Sequence, residues 1–337
     1  MNKPLPFLKP IDSILSLTPE DQCLEKGWED SAPVPPGTLE EARFLSYYII
    51  RQSVYAGTHI LDHLLSNQPG NSSHLAPLML YRHALELGDA IGTLLRFGSS
   101  TSASILVRSL FETSLGIEFI LEENTFHEDR ASCYQAFYQI ERFKNFTRYD
   151  PETKEGTELH RILDADKKLN EAVFPRKDLS NERKAVEKVL NSTRYKPHWD
   201  KYKTTKQKPK QWYSLCSKAS ELRSLARLIG RESEYVLLYK MLSESAHASD
   251  VLSGVLRRKE ERVVEVHKLR GPAEKLKEAT SMTAGYLVGC HNVVLDTYLK
   301  GHHLHKWFTR WYVEDYRTSF MWVISPAPFN PESPPAS

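Results

Sequence analysis

The sequence is poor in cysteine, and the four it has (Cys23, Cys133, Cys216 and Cys290) are scattered, with no CxxC among them. A cysteine zinc site needs clustered ligands, and a disulfide scaffold needs dense ones, so the expectation is free thiols in a reducing cytoplasm. Long apolar runs are missing too: no stretch of 18 uncharged apolar residues occurs, so no membrane span is expected. The first twelve residues hold Pro4, Pro6 and Pro10 without an apolar run and do not read as a signal peptide. Charge of one sign is also lacking. With 45 basic and 43 acidic residues the net charge is +2, and only local clusters argue for a nucleic-acid partner. No internal repeat of fixed period is found.

What is present is ordinary globular composition over 337 residues, 40% hydrophobic and 26% charged, with helical periodicity through most of it. Residues 1–36, ending in Pro33-Val34-Pro35-Pro36, read as an extended arm. Thr38-Leu39-Glu40-Glu41 has the form of a capping box and opens a helix to about Ser66. Further helices are expected from Ser73 to Phe97, Ser102 to Glu123 and Phe126 to Phe146. Short turns between them favour antiparallel neighbours. Residues 151–211 are charged and weakly apolar, with helices near 155–171 and 179–191 and a loop from Arg194 to Lys210. Helices resume at Ser214–Leu228 and Glu232–His247. Glu261–Leu269 has the alternation of a short strand or hairpin arm, and a last long helix runs from Pro272 to about Leu304. The expected fold is all-α: one helical bundle domain over residues 37–325 with long antiparallel helices and a charged helical and loop insertion at 151–211. The tail, 326–337, is expected to fray.

Two helices carry polar residues at regular spacing. Arg108 and Glu112 are four apart inside the apolar helix Ser102–Glu123, where a buried charge pair needs partners. Tyr235, Tyr239, Ser243 and His247 follow one another at intervals of four and form one stripe, opposite Val236, Leu237 and Leu238. Such stripes serve either as a hydrogen-bonded layer between helices or as the wall of a site in which His247 is an acid, base or ligand. Arg82-x-x-x-Glu86 repeats the Arg108-x-x-x-Glu112 spacing, and Asp89 shares a face with Glu86. Paired helices bringing Glu86, Asp89, Glu112 and His247 together would resemble a carboxylate metal site. The di-iron pattern requires two Glu-x-x-His motifs, however, and the chain does not have the pair, so neither metal nor other cofactor is expected.

The stretches RSLFETSLGIEFIL and YVLLYKMLSESAHAS, with Trp212 opening a segment between them, resemble the bacterial domain-of-unknown-function 5677 family over roughly Tyr81 to Gly254. That resemblance implies a helical fold and a site built from Arg108, Glu112, Tyr235, Tyr239, Ser243 and His247, and carries no reaction with it. More loosely, the chain is similar to the HEPN superfamily of small helical domains, many of which are metal-independent ribonucleases of toxin and phage-defence systems. Their signature is an arginine followed by four to six residues and a histidine. Here Lys240, with six residues between, stands ahead of His247, and Arg82 adjoins His83. On this resemblance Arg108 takes the place of the missing arginine, provided its helix packs against that of His247.

Arg194–Lys210 concentrates Lys201, Lys203, Lys206, Lys208 and Lys210, interleaved with Tyr195, His198, Trp199 and Tyr202. Basic residues alternating with aromatics suit phosphate contact and base stacking, so RNA or another nucleic acid is the expected partner of this loop. Gly301-His302-His303-Leu304-His305 reads as a solvated helix C-terminus. Trp307, Trp311 and Trp322 form an aromatic end of the kind through which bundles pair, which raises a homodimer. Two functions follow. One is a nucleic-acid-directed, ribonuclease-like effector in defence or toxin systems, an endoribonuclease with Arg108, Glu112, Tyr239, Ser243 and His247 in one open pocket. The other is a non-catalytic binding or scaffold module in which those residues form a buried polar network.

Overall fold

The structure is a computed structural model that describes residues 8, 9, 11, 15, 38–67, 72–165, 178–206, 208–239, 242, 256–260, 263–266, 270 and 273–317. Among the described residues it is an all-α helical bundle apart from one two-stranded antiparallel hairpin, β1 (Leu256–Glu260) with β2 (Val263–Val266). Among the described residues no helix is long and apolar enough to cross a membrane. The chain forms two compact units. The first comprises residues 1–71, 77–122 and 229–337, and the second 72–76 and 123–228. The lysine-rich 151–211 stretch lies inside the second.

The first unit is built on four long helices: α1 (Leu39–Asn67), α2 (Ser72–Arg96, in this unit from Pro77), α3 (Ser100–Leu121) and, near the C-terminus, a long helix Ala273–Tyr298. That last helix packs against both α1 and α3. The helix ends follow local chemistry. The Thr38 hydroxyl accepts from Glu41 N at 3.2 Å, so the expected N-cap forms. Gly98 closes α2 at φ +75, with Gly98 N bonded to Leu95 O and Ser99 N to Leu94 O, the pairing of a Schellman end. Ile49, Ile50, Val54, Ile60 and Leu61 of α1 are fully buried, as are Val107, Leu110, Phe111 and Leu115 of α3. Within the N-terminal arm, Leu8 N donates to Gln52 Oε1 at 3.1 Å and Ile11 N to Thr58 Oγ1 at 3.2 Å, so these residues lie along α1.

One buried polar knot joins three of these helices. His291, on the long C-terminal helix, has no solvent exposure. Its Nε2 donates to Ser53 O at 3.0 Å, and its Nδ1 lies 2.6 Å from the Tyr81 hydroxyl. A carbonyl can only accept, so the Nε2–H tautomer is the one that satisfies both contacts, with Tyr81 donating to Nδ1. Burial pushes the imidazole pKa down to about 3. Gly57 makes the close crossing feasible: a Cβ there would fall 2.3 Å from Leu85 Cδ2 and 2.8 Å from His291 Cε1.

The second unit contains α4 (His127–Tyr149), α5 (Lys154–Ala165), α6 (Ser180–Leu190), α7 (Lys196–Thr204), a 3-10 turn at Trp212–Leu215 and α8 (Leu222–Leu228). Its core is Cys133, Ile140, Val186, Leu190, Trp199, Tyr202 and Leu215, with Phe137, Phe143 and Phe146 packed on it. In the first unit, the helix Ala273–Tyr298 becomes α9 and His303–Trp311 becomes α10.

Four sequence expectations need correction. Arg194–Lys210 is not a loop throughout: Lys196–Thr204 is helical, with Pro197 in the first turn of α7 and His198, Trp199 and Tyr202 turned into the core, while the described residues after Thr204 are irregular. The helix expected at Ser214–Leu228 is broken. Ser217 Oγ accepts from Ala219 N, and Ser224 Oγ accepts from Ser220 N and Glu221 N, so side chains compete with the helical ladder there. Gly301-His302-His303 is exposed at Gly301 and His303 as expected, but it is the turn between two helices rather than the end of one, since the long helix stops at Tyr298 and the next begins at His303. Gly301 has φ +79, His302 caps α10 by accepting from Leu304 N, and the His302 ring stands 4.6 Å from that of His63. Trp311 is 7% exposed and packs on Phe308 and Tyr316, so it is not part of an exposed aromatic end, and Trp322 lies outside the described residues.

Candidate functional site

The polar residues of α3 meet those of the 229–239 segment within the first unit. Gly230, at φ +76, releases the chain from α8, and a short helical turn at Glu232–Glu234 leads into a π-helical turn at Tyr235–Tyr239. A π turn, bonded i→i+5, is wider than an α turn, so residues four apart fall a little short of one full turn and still share a face. Accordingly, the Tyr235 and Tyr239 rings stack at 4.7 Å with 18° between their planes.

Tyr239 closes a triangle with the two charged residues of α3. Arg108 Nε donates to Glu112 Oε1 at 3.2 Å, Arg108 Nη2 donates to the Tyr239 hydroxyl, and that hydroxyl donates to Glu112 Oε1 at 2.9 Å. The guanidinium carbon also sits 4.5 Å from the Tyr239 ring centre. Every donor in the cycle runs toward the carboxylate, which fixes a cation, a neutral phenol and an anion. The titration shifts agree. Burial, followed by the nearby Glu112, raises the Tyr239 phenol to about 12. Burial opposes the charge on Arg108, yet its bond to Tyr239 and the charge of Glu112 outweigh that and hold its pKa above the usual value.

The triangle is more open than the apolar sequence of α3 suggests. The Arg108 side chain is 25% exposed and that of Glu112 42%. Val236 and Leu237, on the side opposite the tyrosines, face solvent, Leu237 at 70% exposure. Of the expected Tyr235–Tyr239–Ser243–His247 stripe, Tyr235 and Tyr239 stack on each other, and Tyr239 meets the Arg108–Glu112 pair. Ser243 and His247 lie outside the described residues.

Sequence reasoning missed Arg231, the strongest electrostatic anchor of this region. Its guanidinium engages Glu234 through two bonds, Nε to Oε1 at 2.9 Å and Nη2 to Oε2 at 2.5 Å. Nη1 bonds Glu118 Oε1 at 2.5 Å and Ser114 Oγ at 3.1 Å. Its plane also covers Phe111 and Tyr286, at 5.2 and 5.4 Å. Burial pushes the Glu118 carboxyl up against the pull of Arg231. One signal was available: Glu118 is a lone acid in the apolar run Leu115–Leu121 and needs a cationic partner.

The other candidate groups separate. Glu86 pairs with Arg82 at 3.7 Å and His83 at 3.3 Å on an exposed face of α2, while Asp89 forms an ion pair with buried Arg51 of α1. Glu86 and Asp89 therefore do not join Glu112, and among the described residues no group of three or more histidine, cysteine, aspartate or glutamate side chains is placed to hold a metal ion.

In the second unit, Trp199 is 4% exposed and cannot act as an open stacking platform. The Lys203 and Lys208 ammonium groups stand 5.2 and 4.9 Å from the Trp199 and Tyr202 ring centres. Lys203 also pairs with Asp200 at 3.0 Å, Lys208 donates to Tyr202 O at 2.8 Å, and Lys201 donates to Leu215 O. Lys206 and Lys210 are exposed.

A family model described as a family of unknown function (DUF5677) matches residues 74–263, more than half the chain. The chain belongs to that family. The DUF5677 span takes in Arg108, Glu112, Arg231, Tyr235 and Tyr239, and its sequence also includes Ser243 and His247. It leaves out α1, α9 and α10. No curated protein and no solved structure matches the chain.

Proposed function

We propose that this protein is a nucleic-acid-directed effector of the ribonuclease type, working without a metal ion and serving a defence or toxin system in the cytoplasm. The observation that carries the reading is the half-open Arg108–Tyr239–Glu112 triangle. Cleavage of RNA by its own 2′-hydroxyl needs a cation and hydrogen-bond donors where charge develops on the phosphate, and an acid or base that titrates near neutrality. Arg108 supplies the cation and Tyr239 a neutral donor, with Glu112 orienting both. His247 takes the acid–base role and Ser243 that of a second donor. Lys201, Lys203, Lys206, Lys208 and Lys210 would contact backbone phosphates, with Lys206 and Lys210 the most available. With Trp199 buried, binding rests on charge rather than on stacking, so it should weaken steeply as salt rises.

The alternative is a non-catalytic helical binding module. The observation favouring it is mutual satisfaction: Arg108 is already bonded to Glu112 and Tyr239, and Arg231 to Glu118, Glu234 and Ser114.

The deciding experiment incubates the purified chain with a mixed RNA pool, with and without chelator, beside His247→Ala and Arg108→Ala variants. The ribonuclease reading expects chelator-resistant cleavage that falls by about a hundredfold or more in each variant. Absence of cleavage by a folded parent protein, with retained salt-sensitive RNA binding or none, replaces it with the binding-module reading.

A further inference from the structure

Cys133 and Cys216 stand far apart in the sequence but meet in the second unit. Cys133, on α4, is fully buried, and its thiol donates to Trp212 O at 3.2 Å. Cys216 immediately follows the Trp212–Leu215 turn and is half-buried, with its thiol directed at Tyr213 O at 3.7 Å. The side chain of Cys216 packs against the core cluster that contains Cys133, and the carbonyl that the Cys133 thiol bonds belongs to Trp212, four residues before Cys216. Lys201 brings a positive charge to the same place, its ammonium donating to Leu215 O, one residue before Cys216. α4 and the Trp212–Leu215 turn that precedes Cys216 are packed on each other.

From this juxtaposition we propose that Cys133 and Cys216 are a redox modification site, closing to a reversible disulfide when the protein meets a peroxide. The accessible partner reacts first. The Cys216 thiolate attacks one peroxide oxygen, the O–O bond breaks, and Cys216 becomes a sulfenic acid with loss of hydroxide, which is protonated to water. The Cys133 sulfur then attacks the sulfenic sulfur. The S–S bond forms, the S–O bond breaks, and the hydroxyl leaves as a second water, taking the Cys133 proton. The peroxide is reduced by two electrons and the two thiols are oxidised by two. Burial pushes the Cys133 thiol well above its usual pKa, which makes it a poor first target, so the half-buried Cys216 is the one that meets the peroxide. Closure to the S–S length of about 2.0 Å asks for movement from the segment between the 3-10 turn and α8, which has no regular ladder of its own.

The test treats the full-length protein, carrying Cys23→Ser to remove the one cysteine outside the described residues, with hydrogen peroxide. Remaining thiols are alkylated after unfolding, and non-reduced peptides are mapped by mass spectrometry. The expected result is a Cys133–Cys216 cross-linked peptide that dithiothreitol abolishes, with Cys290, fully buried in the first unit, still alkylated. Cys216→Ser leaves Cys133 alkylatable after the same treatment, without requiring a change at a core position. The cross-linked form should unfold at a temperature higher by on the order of several degrees. Oxidation of Cys216 to sulfinic or sulfonic acid without a cross-link overturns the proposal. So does recovery of both thiols unmodified under conditions that oxidise a free cysteine peptide.

Discussion

Tyr239 shows how a phenol can be fixed as a donor by its company. Removing the carboxylate should release it: Glu112→Gln should bring the Tyr239 titration down from about 12 toward the ordinary phenol value near 10. An ultraviolet titration of each protein, with the corresponding Tyr239→Phe spectrum subtracted, isolates this one group among the sixteen tyrosines. An unchanged midpoint would mean that burial alone sets the shift. At this scale the sequence was informative where partners lie one helical turn apart, as with Arg108 and Glu112, because their spacing implies contact. It was uninformative about Arg231, whose contacts with Glu118 and Ser114 span 113 and 117 residues. No spacing rule reaches across such a separation. Only the isolated acid at Glu118 hinted that a cation had to arrive.

At the level of elements, the joint between α1, α2 and α9 depends on a histidine that must stay uncharged. A second proton on the ring would turn Nδ1 from acceptor to donor and break the bond from Tyr81. The folded pKa lies near 3 and the unfolded value near 6.5, so between those pH values the unfolded chain binds the extra proton. Stability therefore falls as pH drops below about 6.5, by up to about 1.4 kcal/mol per pH unit from this residue. Urea denaturation at pH 7 and pH 5 should show the parent losing about 2 kcal/mol more than His291→Gln, whatever the variant's starting stability. Equal losses would refute the assignment. Helix boundaries near this joint were legible, since Thr38 and Gly98 act through neighbouring backbone alone. The π turn was not, because the 235–239 sequence holds regular helical spacing and gives no sign of the widening.

For the molecule as a whole, the division into two units means that core damage should stay local. Trp199→Ala removes the centre of the second cluster, a loss of about 3–5 kcal/mol. Hydrogen exchange should then show protection lost across α4, α6 and α7, with α1, α3 and α9 retaining theirs. Uniform loss would show that the chain unfolds as one cooperative body. The sequence missed this second core because lysines crowd the stretch that contains His198, Trp199 and Tyr202. Their i, i+1, i+4 spacing is that of an ordinary buried helix face. The boundaries of the family match carry a consequence of their own. The span 74–263 includes Tyr81, Phe111 and Glu118, yet α1 and α9, which supply His291, Tyr286 and much of the apolar cover, fall outside it. A polypeptide trimmed to those limits would leave a greasy flank on α3 and a tyrosine hydroxyl stripped of its acceptor. It should need detergent, a neighbour or a replacement pair of helices to remain in solution.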